Sequence, residues 1–242
     1  MPKERIHKAL ANAGVASRRA VEEMVTEGRV TVNGRAVREL PCFVDLAEDE
    51  VRVDGKKVRK LRSANTYFLL NKPRGVVCTQ KDPSGRPRAV DLVPAKGKRV
   101  YCVGRLDADS TGLILLTDDG ELTEHLTHPS HGVPKTYVVE VDGHVDGSRI
   151  ERLKTGMHLD GRRTARARAR VLKRGRDRSR LEITLREGRN REIRRLLARL
   201  GHKVRRLHRA AIGPIRDRGL KIGGFRVLKQ DEVARLRRSG DG

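Results

Sequence analysis

The sequence of 242 residues carries 55 Lys and Arg against 31 Asp and Glu, a formal net charge of +24 and a pI near 11.0. Hydrophobic residues make up 36% and charged residues another 36%, enough apolar positions to build one small and one medium-sized core, which excludes bulk disorder. No stretch holds the ~18 apolar residues that cross a bilayer, MPKERIHKAL lacks a secretory segment, and three widely spaced cysteines (Cys42, Cys78, Cys102) suit neither a disulfide framework nor a zinc ribbon, so a protein of the reducing cytoplasm, with no membrane partner, is expected.

In residues 5–13, Ile6, Ala9, Leu10 and Ala13 recur at helical spacing, and Gly14 follows where a left-handed cap ends a helix. Ser17 can cap a second helix whose inner face is Val21, Met24 and Val25, stopping near Gly28. VTVNGRAV and VRVDGKKV then alternate in polarity around Asn33-Gly34 and Asp54-Gly55, dipeptides that accept the positive φ of tight hairpins. Arg5, Lys8, Arg18 and Arg19 fall off the apolar helix faces, where they can meet phosphate or solvent. Over about residues 3–50 the segment resembles the small αL (S4-like) module shared by a small-subunit ribosomal protein and several RNA-modifying enzymes, which implies RNA binding. A first domain is expected over residues 1–60. KKVRKLRSAN, residues 56–65, has few apolar residues and five Lys/Arg, and reads as linker, bounded at 61–65.

Strand signals multiply thereafter: TYFLL, VYCVG, LILLT, TYVVEV, ARARARVL and RLEITL, separated by turn-prone stretches. In ARARARVL, Arg166, Arg168 and Arg170 share one face and alanines the other. One amphipathic helix stands out, RNREIRRLLARL, with Ile193, Leu196, Leu197 and Leu200 as its buried stripe and arginines opposite. DEVARLRR reads as a last short helix. The fold class is therefore α+β, with a second domain over residues 66–242 on a mixed, mostly antiparallel sheet.

The charge is uneven along this order. Residues 1–62 hold 14 Lys/Arg against 10 Asp/Glu and residues 63–147 hold 10 against 11, whereas residues 148–242 hold 31 against 10. So lopsided a field favours a polyanion bound through counterion release. DNA is disfavoured, because neither a helix-turn-helix pairing nor a zinc motif accompanies the charge.

GRLDADSTGLILLTDDGEL, residues 104–122, presents Asp107 from a short polar stretch just before an apolar strand, good ground for a catalytic carboxylate. Asp107, Asp109, Thr111, Gly112 and Asp118 also fall at the spacing of a calcium loop, but its last position calls for Glu and its flanks for helices, where this sequence has Asp and strands. An acidic hairpin turn without chemistry is the remaining reading from spacing. His125, His128 and His131 recur in HLTHPSH, yet Pro129 interrupts the helix that would align them and no Cys joins them, so no metal is expected. Asn71, Lys72 and Pro73 read as a turn near the site, with Lys72 a phosphate contact rather than a nucleophile.

In order along the chain, LNKPRGVV at 70–77, GRLD…GL…LLT.DGEL at 104–122, KTYVVEV at 135–141, EGRNREIRRLL at 187–197 and LKIGGFRVL at 220–228 resemble the ribosomal RNA pseudouridine synthases of the small-subunit synthase A branch. Any one fragment is weak; five in order, behind an αL module, span nearly the whole chain. The resemblance implies a pseudouridine synthase fold for the second domain and no cofactor, with Asp107 as catalytic aspartate, Tyr137 stacking on the target uracil, Arg194 paired with the aspartate, and Arg105 holding RNA or filling the vacated stack. Ser110 and Thr111 stand where Thr-Glu is frequent, and Asp118 where Asn is frequent. EGRNREIRR is closer to the large-subunit synthase B members, which favours large-subunit RNA. Arg189, Arg191, Arg195 and Arg199 are expected to face RNA or solvent. The chemistry fits these groups: an anionic oxygen can act on sugar or ring without a cofactor, and a guanidinium within reach keeps a shielded carboxylate ionised. With three Tyr, three Phe and no Trp, few rings are available to stack a base. The partner expected is ribosomal RNA or a ribosomal precursor particle, and the chain a monomer, since no long heptad run is present. The rival reading is an RNA-binding or ribosome-assembly protein without turnover.

Overall fold

The computed structural model describes residues 3–59, 64–95, 97–217 and 219–240. The chain divides into two compact units, residues 1–65 with 97–99 and residues 66–96 with 100–242. Of the expected linker, residues 61–63 lie outside the described residues. Lys56 and Lys57 form the return strand of the VRVDGKKV hairpin, because Asp54-Gly55 turns the chain back onto Val53.

The first unit has helices α1 (Ile6–Asn12) and α2 (Arg18–Thr26) and strands β1 (Val30–Val32), β2 (Arg35–Val37), β3 (Val51–Val53) and β4 (Lys56–Lys57), in the sheet order β2-β1-β3-β4. Ser17 caps α2 as expected, its Oγ accepting from the Ala20 N–H at 3.1 Å. Both hairpins turn on left-handed pairs, Asn33-Gly34 and Asp54-Gly55. Ile6, Leu10, Val21, Val25, Val30, Val44 and Val51 form the core.

The second unit is built on strands β5 (Tyr67–Lys72), β6 (Thr111–Thr117), β7 (Lys135–Asp142), β8 (Arg168–Lys173), β9 (Arg178–Leu185), β10 (Val204–Ile212) and β11 (Phe225–Val227), ordered β8-β9-β7-β10-β6-β5-β11. Tyr101–Cys102 pairs with β6 and Ile215–Arg216 with β10. Along this order only β10 and β6 run parallel; the other neighbours are antiparallel. Helices α3 (Gly120–Thr127), α4 (Gly147–Thr155), α5 (Glu192–Arg199) and α6 (Gln230–Arg237) cover the sheet. Strand β6 is buried on both faces: Leu113 and Leu115 meet Leu122 and Leu126 of α3 and Val233 and Leu236 of α6, while Ile114 and Leu116 meet Phe68, Leu70, Val93 and Leu106. That is why LILLT is a continuous apolar run. At the other end of the sheet, Ile150, Leu153, Ile193, Leu196 and Leu197 of α4 and α5 pack on Val139, Val141, Leu181 and Ile183.

Several elements differ from the sequence reading. VYCVG shrinks to a two-residue strand, ARARARVL begins at Arg168, and the amphipathic helix starts at Glu192. The alternation in ARARARVL holds, with Ala167 and Ala169 buried and Arg168 and Arg170 exposed. Helices α3 and α4 were not expected, although each has a clear cap: Asp119 accepts from the Leu122 N–H and Asp146 from the Arg149 N–H, both at 2.9 Å. Strand β10 was also missed, because arginines at 205, 206 and 209 mask its alternation. It can pair with β6 because position 112 is glycine: a Cβ there would lie 2.4 Å from the backbone N and O of Arg209. The calcium spacing fails structurally, since a strand follows Asp109, and Asp118 accepts from the Thr66 N–H at 2.7 Å. The rings of His125 and His131 stand 4.7 Å apart, and among the described residues no group of three His, Cys, Asp or Glu could hold a metal ion. Among the same residues no helix is long and apolar enough to cross a membrane.

Candidate active site

Asp107 lies in the loop entering β6, and the loop is pinned on both sides. The Gly75 N–H donates to the Ala108 carbonyl at 2.7 Å, the Ser110 N–H to the Asp107 carbonyl at 3.1 Å, and Leu106 and Ser110 are buried. The Asp107 side chain, a third exposed, faces a cavity of about 620 Å³, within the range of pockets that hold a small ligand. Tyr137, on β7, lines the same cavity. A recess of about 230 Å³ also adjoins the loop, lined by Cys78, Arg105, Asp107 and Asn190 among others, so Asp107 and the exposed Arg105 border both spaces.

The guanidinium in contact with Asp107 is that of Arg191, whose Nη1 donates to Asp107 Oδ2 at 3.2 Å and reaches Asp109 as well. This corrects the expectation that Arg191 simply faces RNA or solvent. Arg191 precedes α5 with φ 49° and ψ 31°, the left-handed region, and that turn of backbone aims its side chain at the loop. The expected direct pair of Arg194 with Asp107 is not the geometry found. Arg194 Nη2 lies 3.1 Å from Asp109 Oδ2 and donates to Ser110 Oγ at 3.3 Å, because its place one turn along α5 directs it beneath the loop. Asp109 thus bridges the two arginines. Burial alone would raise its carboxyl, but hydrogen bonds from Arg191 and the charges of Arg194 and Arg191 hold it below the ordinary carboxylate range.

Lys72 corrects another expectation. It is fully buried, and its Nζ donates to the carbonyls of Pro73 and Val76 at 2.9 and 2.8 Å, so it ties the turn together and cannot meet a phosphate. Burial lowers its ammonium, opposed by Cys78, Asp109 and Asp107. Arg195 pairs with Asp160, and Arg189 with Glu187 at 3.0 Å; both keep exposed surface. In the first unit Arg5, Arg18 and Arg19 are exposed and Lys8 lies 3.9 Å from Glu4.

Three residues of the cavity had no sequence signal. Arg209 sits inside the charged run RRLHR, and the buried Glu192 inside the arginine-rich helix start. Lys135, two residues before Tyr137 and so on the same face of β7, was legible only as part of a strand. Burial, with Arg209 adding repulsion, lowers Lys135 to about 8. Burial raises Glu192 to about 7, against the Arg189 N–H that donates to it at 3.0 Å.

The pattern of the family described as RNA pseudouridylate synthase matches residues 66–199, and that of the S4 domain residues 4–40. A Bacillus subtilis protein named ribosomal large subunit pseudouridine synthase B is 42% identical over 240 residues, covering 98% of this chain and 97% of that one. A Mycobacterium leprae protein described as an uncharacterized RNA pseudouridine synthase is 43% identical over 235 residues, covering 96% and 91%. A crystal structure described as a pseudouridylate synthase superposes with a TM-score of 0.70 at 33% identity, covering 96% of this chain and 99% of the other.

Proposed function

The chain belongs to the RNA pseudouridylate synthase family, and from that premise we propose that it converts a specific uridine of large-subunit ribosomal RNA to pseudouridine, with Asp107 as the catalytic carboxylate and no cofactor. The observation that carries the reading is Asp107 on the wall of a 620 Å³ cavity that Tyr137 also lines, with a guanidinium 3.2 Å from its oxygen. The target uridine leaves its helix and enters the cavity, where the Tyr137 ring offers a flat face. Asp107 then acts on sugar or ring. The bond from sugar carbon to ring nitrogen breaks, the base turns, the ring carbon joins the sugar, and that carbon's proton departs while the ring nitrogen regains one. Arg191 holds the Asp107 carboxylate in place by donating to its Oδ2, and Arg194, through Asp109, fixes where Arg191 stands.

The αL-like unit, through Arg5, Lys8, Arg18 and Arg19, and the basic third of the chain grip the RNA backbone, and Arg105 enters the space the base leaves. The protein works as a monomer in the cytoplasm. Relatives named for the large subunit, and EGRNREIRR in this chain, favour large-subunit over small-subunit RNA. The test is Asp107→Asn, incubated with transcripts of both ribosomal RNAs and read by chemical labelling and primer extension. The variant binds RNA as wild type does and forms no pseudouridine. Modification at the wild-type rate would remove Asp107 from the chemistry, and no product from wild type on either RNA would favour the binder without turnover.

A further inference from the structure

Arg209 is 4% exposed and lines the cavity. It lies on β10 opposite Gly112 of β6 on one side and Tyr137 of β7 on the other, and residues directly opposed across strands project from the same face. Its Nε donates to the Leu113 carbonyl at 2.6 Å, which fixes the plane of the guanidinium. Its Nη2 is buried and has no hydrogen-bond partner among the described residues. A buried charged donor left unpaired is costly, and it points to a ligand atom that completes it.

We propose that Arg209, with Lys135 beside it, is the cationic floor of the cavity, holding the extruded uracil by an exocyclic carbonyl oxygen and stabilising the negative charge that develops on the ring. The inference rests on the reading of this cavity as a uridine-isomerising site. A base carbonyl is favoured over a phosphate because Arg209 lies on the buried floor with Tyr137, whereas Arg162 and Arg186, also lining the cavity, are exposed where a sugar-phosphate chain can pass. When the bond between sugar carbon and ring nitrogen breaks, its electron pair stays with the ring and spreads onto both carbonyl oxygens. Donors already aimed at those oxygens stabilise that anion most. A half-turn of uracil about its N3–C6 axis exchanges N1 with C5 and one carbonyl with the other. Arg209 therefore meets an oxygen before and after the turn and keeps the detached ring from leaving. Lys135, on the same face of β7 as Tyr137 and held by donating its Nζ to the Leu126 carbonyl at 2.8 Å, adds positive charge to the same region.

The test uses the full chain and short RNAs with uridine, 2-thiouridine or 4-thiouridine at the mapped target, sulfur being the weaker acceptor. Wild type slows about 10-fold on a thio substrate, the equivalent of one hydrogen bond. Arg209→Gln lowers kcat by about 100-fold with KM for RNA little changed, and its thio penalty shrinks to about 2-fold or less. Arg209→Lys recovers less than a tenth of the loss, since an ammonium cannot serve both the Leu113 carbonyl and the substrate. Should either variant fail to fold, the thio substrates with wild type still decide the matter: equal rates on all three RNAs overturn the proposal. So does a folded Arg209→Gln that keeps wild-type kcat or the full thio penalty. Wild type forming no pseudouridine on the uridine RNA is a different result, overturning the parent reading and this one with it.

Discussion

Arg191→Gly separates the stability of this protein from its activity. Arg191 holds φ 49°, a region that costs a side-chain-bearing residue ~1–2 kcal/mol and glycine almost nothing. Its contacts with Asp107 and Asp109 are 3.2 to 3.5 Å long, between groups a third to nearly a half exposed, so they contribute ~0–1 kcal/mol to folding. Glycine gives back ~0.5–1 kcal/mol through its more flexible unfolded chain. Relief of strain therefore roughly offsets the losses, and Arg191→Gly should unfold within about 1 kcal/mol of wild type. Arg191→Ala loses the same contacts and keeps the strain, so it should be less stable than Arg191→Gly by about 1 kcal/mol, or ~2–4 °C in Tm. Both variants lose the cation beside Asp107, and kcat should fall about 100-fold in each. Thermal unfolding of the three proteins and single-turnover pseudouridine formation supply the comparison. Equal Tm for the alanine and glycine variants would refute the backbone argument, and wild-type turnover by Arg191→Gly would refute the role given to its contact with Asp107.

Glu192 makes stability depend on pH. Its folded carboxyl is raised from 4.5 to about 7, so the folded chain holds a proton that the unfolded chain has released, and stability falls as pH rises through that window, by at most about 3 kcal/mol. Glu192→Gln carries no such proton, and its Tm advantage over wild type should widen between about pH 5 and pH 8; a constant difference would contradict the burial argument. Gly112→Ala places a methyl group 2.4 Å from the Arg209 backbone, and its stability loss, measured by denaturant titration, should exceed about 3 kcal/mol; an unaltered midpoint would mean that β6 and β10 do not approach so closely. Arg105→Ala should lower the slope of log affinity against log salt by about 1 if Arg105 meets a phosphate, whereas an unchanged slope would leave only its role at the base stack.

Much of this protein is written locally. Ser17 before a helical stripe, Asn33-Gly34 and Asp54-Gly55 between alternating strands, and the apolar run of β6 each specify their own backbone within a few residues, and the structure follows them. The loop presenting Asp107 was legible for the same reason, since a polar stretch ahead of an apolar strand needs no distant partner to be read. The partners of that carboxylate were not. Arg191 and Arg194 are both arginines of one helix, and only the left-handed turn at 191 and the docking of α5 against the loop decide which one touches Asp107. Lys72 is charged in sequence yet fully buried, because carbonyls of its own turn accept from it. Arg209 reads as one more cation in a basic run; pairing of β10 with β6, strands about 97 residues apart in the chain, puts it on the cavity floor. Sequence alone determined elements, family pattern and sign of the field, because these depend on neighbours along the chain. Tertiary structure decided which charges are buried and which face one another, because Coulomb and desolvation energies depend on distance and solvent access, and folding sets both.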